Sequence, residues 1–216
     1  MKNYLILFII MLLLLSGCKS EFFVADNFPW IQDTHVLFKD DFSQVSGGWI
    51  THEDRLSFSG YESDGFRLWT DVPNYQVWSV PGLNFKNTFI TVRATKLAGP
   101  DNNIFGLLCR YQNEENFYAL LIGSDGYYGI IKNVEGVQSL VDQPFMEFSE
   151  VIQRGDSSNS ILAGCYEDQL ILVVNDVKLL EVKDKSLTHG DVGLIAGNFA
   201  EPGVDILFDD FYVITP

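Results

Sequence analysis

The segment IFGLLCRYQNEENFYALLIGSDGYYGIIKN, residues 104–133, gives the clearest indication of the architecture of this chain. It contains three runs rich in apolar and aromatic residues, at 104–111, 117–122 and 127–133, separated by polar turns. Each run is too short for a helix of ordinary length and lacks helical apolar periodicity, so the pattern predicts β-strands. In the second turn, Ser124-Asp-Gly126 supplies an Asp start and a Gly that tolerates positive φ. We therefore predict consecutive antiparallel strands here.

The same pattern extends in both directions from residue 38 onward. Short apolar runs recur about every ten residues, a spacing typical of an antiparallel β-sandwich or barrel. Asn175-Asp176 between two apolar runs predicts a two-residue hairpin. Residues 145–153 fit either a short helix or a loop with a strand. The further strands that we predict span residues 66–71, 75–80, 89–96, 137–141, 160–166, 169–175, 177–182, 191–196 and 204–214.

The composition is that of one globular domain with an acidic surface. The chain has 216 residues, of which 47% are hydrophobic and 20% charged, and its formal net charge is −15. Such a charge repels phosphate backbones, and no basic tract interrupts it. We expect no nucleic-acid partner.

The N-terminus predicts export and a lipid anchor. Lys2 precedes an apolar run at residues 4–15, which fits a signal-peptide core and is shorter than a membrane-spanning helix. Leu15-Ser16-Gly17-Cys18 resembles a bacterial lipobox, which implies lipidation of Cys18. We therefore predict a signal peptide at 1–17, a lipidated Cys and short tether at 18–35, and one domain at 36–216. The protein is expected to be anchored to the bacterial cell membrane, facing outside the cytoplasm.

The tether is unusually apolar for a spacer. It contains Phe22, Phe23 and the run Phe28-Pro-Trp-Ile31. We expect part of it to pack either on the domain or on the membrane, and the sequence leaves both alternatives open.

The cysteine count favours one disulfide. Lipidation of Cys18 leaves Cys109 and Cys165, an even number in an exported and oxidising compartment. We predict a bond between them. The alternative is two separately buried thiols, because both lie in apolar strand sequences.

Several motifs resemble one fold family. They are Lys39-Asp-Asp-Phe42, Gly47-Gly-Trp49, the stretch from Phe105 to Gly129 and Phe208-Asp-Asp-Phe-Tyr-Val213. Together they resemble the concanavalin A-like jelly roll, above all its laminin G-like and 3-keto-disaccharide hydrolase-like domains in bacterial secreted proteins and lipoproteins. The resemblance implies an all-β antiparallel sandwich, and its members are mostly sugar-binding or uncharacterised modules. Fold alone does not establish activity.

The sequence offers no local catalytic pair. Laminarinase-type enzymes of this fold carry Glu-x-Asp-x-x-Glu on one strand, because retaining hydrolysis needs two carboxylates about 5 Å apart. The nearest approach here, Glu62-Ser-Asp64-Gly-Phe-Arg67, ends in a cation. A hydrolase of the 3-keto-disaccharide type therefore needs acids distant in sequence, such as Asp64, Asp71 and Glu115. A third alternative is an envelope scaffold that binds another protein.

A structural Ca²⁺ is the one metal that the resemblance implies. Asp210 matches the leading Asp of the C-terminal strand that binds calcium in laminarinase-type relatives, and Asp41 on the opening strand is its weaker companion. Ca²⁺ requires six to eight oxygen ligands.

Carbohydrate binding by a non-catalytic lectin-like domain is the function that the sequence favours, with a cell-envelope glycan as partner. Sugar sites combine aromatic faces with a few amide, guanidinium or carboxylate groups. Period-two alternation predicts that Gly106, Leu108 and Arg110 point away from Phe105 and Leu107. The site residues that we predict are Arg110, Asn116, Tyr118 and Tyr128, with Trp69 and Trp78 as aromatic platforms.

Overall fold

The computed structural model describes residues 35–62 and 65–215. The predicted signal peptide, the lipobox Cys18 and the tether before residue 35 lie outside these ranges. Within them, no helix is long and apolar enough to cross a membrane. The described residues form sixteen strands: β1 (His35–Asp40), β2 (His52–Glu53), β3 (Ser57–Glu62), β4 (Gly65–Thr70), β5 (Gln76–Ser79), β6 (Thr88–Ala98), β7 (Asn103–Asn113), β8 (Asn116–Ile122), β9 (Tyr127–Val134), β10 (Val137–Leu140), β11 (Glu147–Phe148), β12 (Ser158–Tyr166), β13 (Gln169–Val174), β14 (Val177–Lys183), β15 (Asp191–Asn198) and β16 (Val204–Thr215).

Two antiparallel sheets form a sandwich. The nine-stranded sheet has the order β14-β13-β12-β6-β16-β4-β3-β2, and β1 also pairs with β16. The seven-stranded sheet has the order β10-β9-β8-β7-β15-β5, and β11 also pairs with β9. The predicted all-β antiparallel sandwich is confirmed.

All twelve predicted strands are present, and their turns have the expected chemistry. Asn175 and Asp176 both have positive φ in the β13–β14 hairpin, as a type I′ turn requires, and Gly126 has φ +97°. Residues 145–153 contain the short strand β11 and no helix. The strands that pattern analysis missed are β1, β2, β3 and β11; of these, β2 and β11 have two residues each, and β3 is interrupted by Gly60.

The motifs that suggested the fold pack against one another. Strand β1 pairs with β16 from His35↔Thr215 to Asp40↔Phe211, so the first and last strands are neighbours. Trp49 Nε1 donates to Asp40 Oδ2 at 3.1 Å, and its ring meets Phe211 edge-on at 4.9 Å. These residues are therefore structural.

The core lies between the sheets and contains the disulfide. Inward-facing residues of both sheets form one buried cluster, which includes Cys109 on β7 and Cys165 on β12. A bond between these two cysteines joins the sheets across the core, with a Cα–Cα distance of 6.6 Å. The predicted pairing is confirmed.

Candidate functional site

The outer face of the seven-stranded sheet, which points away from the nine-stranded sheet, carries apolar side chains that are almost completely buried. Its central residues form a second buried cluster, separate from the core between the sheets. Partly buried side chains from both halves of this sheet pack on the cluster: Trp78, Tyr111, Ile131 and Met146. The face is therefore a trough with an apolar floor.

The trough contains a cavity of about 450 Å³. Its lining includes Gln76 and Trp78 from β5, and Gln138 from β10. Because β5 and β10 are opposite edges of the seven-stranded sheet, the cavity lies between these two edges. The described residues that line it are Asn74, Tyr75, Gln76, Trp78, Ile104, Gln138, Asn198 and Phe199.

The chemistry of this lining is distinctive. Its described residues provide three aromatic rings, the amides of Asn74, Gln76 and Gln138, and no charged group. Aromatic surface beside a few polar groups is the usual composition of a small-molecule pocket. The trough suits a neutral ligand that has both apolar faces and hydroxyl groups.

Trp78 is fixed in the trough by strand geometry. Its neighbour Val77 enters the core between the sheets, so alternation directs Trp78 and Gln76 to the outer face. The indole Nε1 donates to Tyr111 Oη at 3.4 Å, and the Tyr111 ring stacks on Phe117. This contact holds the half-buried indole beside the cavity.

Asn198 borders the cavity, but its side chain points toward the nine-stranded sheet, on the same face of β15 as the core residues Leu194 and Ala196. Its Nδ2 donates to the Thr70 carbonyl at 3.3 Å. Its Oδ1 is buried and has no hydrogen-bond partner within residues 35–62 and 65–215, although the residue is only 4% exposed. An unsatisfied buried acceptor costs about 1–3 kcal/mol.

A second cavity, of about 570 Å³, has a different character. It is lined by residues from β9, β10 and β14 together with the segments that follow β10 and β14. The described residues that line it include five charged groups and no aromatic ring: Lys132, Leu140, Val141, Asp142, Glu181, Val182, Lys183 and Asp184. It lacks the aromatic face that favours the trough as a ligand site.

Arg110 does not point outward, and the predicted alternation is wrong at this position. A β-bulge shifts the β7–β8 register after Cys109, and Arg110 takes φ +51°. The side chain is 2% exposed. Its guanidinium donates to the carbonyls of Leu187 and Glu167, both at 2.8 Å. Arg110 therefore joins loops at the sandwich edge and offers no surface to a ligand.

Tyr118 lies in the core and belongs to a buried polar network. Its hydroxyl donates to Asp184 Oδ1 at 2.6 Å and accepts from the Leu187 amide at 3.0 Å. Burial and the hydrogen bond with Asp184 raise the pKa of Tyr118 to about 12. Burial opposes ionisation of Asp184, but hydrogen bonds from Lys132, Ser186 and Tyr118 outweigh it and hold that pKa well below its usual range.

The other predicted sugar-binding residues are dispersed. Tyr128 is buried in the core and donates to Glu147 Oε2 at 2.9 Å. Asn116 accepts from the Glu135 amide and donates to Asn113, so it organises two turns. Trp69 lies on β4 of the nine-stranded sheet. Of the six predicted residues, Trp78 is the one that lines the trough.

The predicted calcium ligands Asp210 and Asp41 are neighbours, but the guanidinium group of Arg93 already pairs with Asp210. Burial raises the pKa of Tyr212, and Asp210, Asp41 and Asp209 raise it further, so these carboxylates lie near the Tyr212 hydroxyl. Arg93 forms ion pairs with Asp209 and with Asp210. Asp41 instead accepts from the amide and hydroxyl of Ser43.

These oxygens fit a calcium shell poorly. The described ranges contain no group of three or more His, Cys, Asp or Glu side chains suited to a metal ion. The Arg93 guanidinium neutralises Asp210 directly, and Ca²⁺ would have to displace it.

The acids proposed for a distant catalytic pair are far apart. Asp71 follows β4 at the end of the sandwich where β7 begins, since Asn198 contacts Thr70 and pairs with Asn103. Glu115 follows the other end of β7. The eleven residues of β7 span roughly 35 Å, so these two acids cannot flank one bond. Asp64 lies outside the described residues.

Comparison with solved structures assigns the fold. It is a concanavalin A-like jelly roll, as the sequence motifs predicted. Carbohydrate binding module CBM66 from Bacillus subtilis aligns with a TM-score of 0.61 at 12% identity, over 76% of this chain and 93% of the module. A GH16 protein from a Bacteroides ovatus mixed linkage glucan PUL aligns at 0.58 and 13% identity, over 82% and 100%.

A third similar structure is the GH43 protein BlXynB of Bacillus licheniformis, with a TM-score of 0.62 and 14% identity. The alignment covers 82% of this chain and 39% of that one. No protein-family model matches the chain, and no curated protein sequence does. At these identities the similarity establishes the fold alone.

Proposed function

We propose that this protein is a surface-anchored bacterial lipoprotein whose jelly roll binds a carbohydrate, without catalysis, in the trough of the seven-stranded sheet. The observation that carries the proposal is the position of Trp78 beside Gln76 and Gln138 in one cavity whose described lining has no charged group. A pyranose has an apolar face for an indole and hydroxyls for amides.

The known structures support a role with carbohydrate in general. CBM66 is described as a carbohydrate binding module, and the GH16 structure was solved with a product bound. Since both are distant in sequence, they support the ligand class and leave the individual sugar open.

The absence of a carboxylate from the described lining of the trough supports binding without hydrolysis. Retaining and inverting glycosidases both place two carboxyl groups around the scissile bond. The trough provides amides where such enzymes place acids.

The lipid anchor rests on the lipobox and the signal-peptide core that precede the domain. Attachment through Cys18 would place the jelly roll outside the cytoplasm, where envelope and environmental glycans are available. Several acyl chains hold a protein far more firmly than one chain does.

A glycan array with the purified protein, followed by titration calorimetry on any hit, tests the function. We expect Trp78→Ala to weaken binding at least tenfold, which corresponds to ~1.4 kcal/mol. Gln138→Ala should weaken it less, because one exposed amide is lost. Trp69→Ala is the matched control, since it removes a half-buried indole from the other sheet.

Equal losses in the Trp78 and Trp69 variants would refute the trough as the site. A folded protein that binds no glycan on the array would refute carbohydrate binding and favour a scaffold. Release of product from a labelled glycan would refute the non-catalytic part of the proposal.

A further inference from the structure

Two exposed aromatic rings lie on the outer face of the seven-stranded sheet, at the edge opposite Trp78. Tyr128 is in the core, so alternation along β9 directs its neighbour Tyr127 to the outer face. Phe148 on β11 pairs directly with Tyr127 and meets its ring edge-on, with 5.7 Å between the ring centroids. Tyr127 is 45% exposed and Phe148 is 46% exposed. We call these two residues the aromatic rim.

The aromatic rim and the trough lie at the same level of the sheet. Ile104, which lines the cavity, is on β7, two strands away from Tyr127 on β9. The residues that follow these two, Phe105 and Tyr128, both pair with Ile122 on the strand between them. Two strand spacings amount to about 10 Å. A ligand that fills the cavity and extends across the sheet would therefore reach the rim, whereas a single sugar ring would not cover both.

A guanidinium group lies on the aromatic rim. Arg154 is placed over the Phe148 ring, with 5.7 Å between its Cζ and the ring centroid. Gly126 makes room for both side chains, because a Cβ at this position would meet the Phe148 ring at 2.7 Å and Arg154 Cδ at 3.3 Å. The Gly155 amide donates to the Ser124 carbonyl at 2.9 Å, which joins the Arg154 loop to the same turn.

The charge of Arg154 is not neutralised within the described residues. The chain has 29 acidic and only 14 basic side chains, yet Arg154 forms no ion pair within residues 35–62 and 65–215. Asp156, two positions later, pairs with Lys96 instead, and Glu147 accepts from the Tyr128 hydroxyl. The Arg154 guanidinium therefore presents planar donors that match a carboxylate in a bidentate pair.

We propose that the ligand is an acidic oligosaccharide, which places a neutral residue in the trough and a uronate residue on the aromatic rim, with its carboxylate on Arg154. This inference rests on the proposed carbohydrate binding and names the class of sugar. An exposed ring accommodates the apolar face of a pyranose. The described lining of the cavity has no cation, so the acidic group is recognised at the rim.

A glycan array that holds uronate oligosaccharides beside their methyl esters tests the inference with the full chain, and titration calorimetry measures the hits. Esterification removes the negative charge and keeps the sugar backbone. We expect the acid to bind about fivefold more tightly than its ester, near the upper limit for a partly exposed ion pair. Arg154→Gln should lower the affinity for the acid to that of the ester. Arg55→Gln is the matched control, because it removes an exposed arginine between β2 and β3 of the other sheet.

Trp78→Ala separates this inference from the proposed function. It should weaken the acid and the ester alike by about tenfold, because the trough holds the neutral residue of both. Equal affinities for acid and ester, hits among neutral or sulfated glycans alone, or equal losses in the Arg154 and Arg55 variants would overturn the uronate ligand and leave carbohydrate binding intact. A folded protein without any hit on the array would overturn both.

Discussion

Reduction of the disulfide between Cys109 and Cys165 should destabilise the domain strongly. The bond joins β7 to β12, one strand from each sheet, and both residues are completely buried. Because both thiols keep their place in the core after reduction, the native contacts change little. The main effect falls on the unfolded chain, which loses a cross-link.

The magnitude follows from the size of the loop. The cysteines are 56 positions apart. In the chain-entropy account, a loop of this size is worth about 4 kcal/mol at 25 °C. With a urea m-value of about 2 kcal/mol/M, the unfolding midpoint should fall by about 2 M on reduction.

Urea unfolding with and without reductant measures this change. A Cys18→Ser background leaves one cysteine pair, so thiol titration under denaturing conditions reports its state directly. The variant Cys109→Ala/Cys165→Ala is the control, because reductant should not move its midpoint. The entropic reasoning is refuted if the midpoints differ by less than about 0.3 M although titration shows complete reduction.

Three further outcomes are expected. Asp184 has a lowered pKa in the folded state, so its stabilising contribution is present above the unfolded pKa and disappears as the pH falls below about 4. Because the folded pKa lies far below the unfolded one, part of this contribution remains at pH 2; Asp184→Asn should therefore cost about 2 kcal/mol at pH 7 and clearly less at pH 2 in urea unfolding, and equal costs at both would contradict this assignment. Intact-mass spectrometry of the membrane-extracted protein should show an acylated chain that begins at Cys18; another N-terminus or a missing lipid contradicts the anchor. Because Arg93 already neutralises Asp210, EDTA or added Ca²⁺ should shift the melting temperature by less than about 2 °C, and a larger rise with Ca²⁺ would restore the calcium site.

Local sequence chemistry predicted most of the fold. Apolar runs between Asn, Asp and Gly turns specified twelve strands, because turn geometry and period-two burial are encoded within a few residues. The strands β2 and β11 have only two residues each. Whether so short a segment becomes a strand depends on the neighbouring strand with which it pairs. Pairing of β1 with β16 joins the two ends of the domain, which only the family resemblance indicated.

The site was harder to predict, because one bulge reversed the assumed alternation. Arg110 turns inward at the β7 bulge, so a residue that strict period-two counting placed outside is buried. The residues that do line the cavity are contributed by strand edges and loops far apart in sequence, from Asn74 to Phe199. One available signal was the stretch Asn74-Tyr-Gln-Val-Trp78, where Gln76 and Trp78 alternate with a core valine.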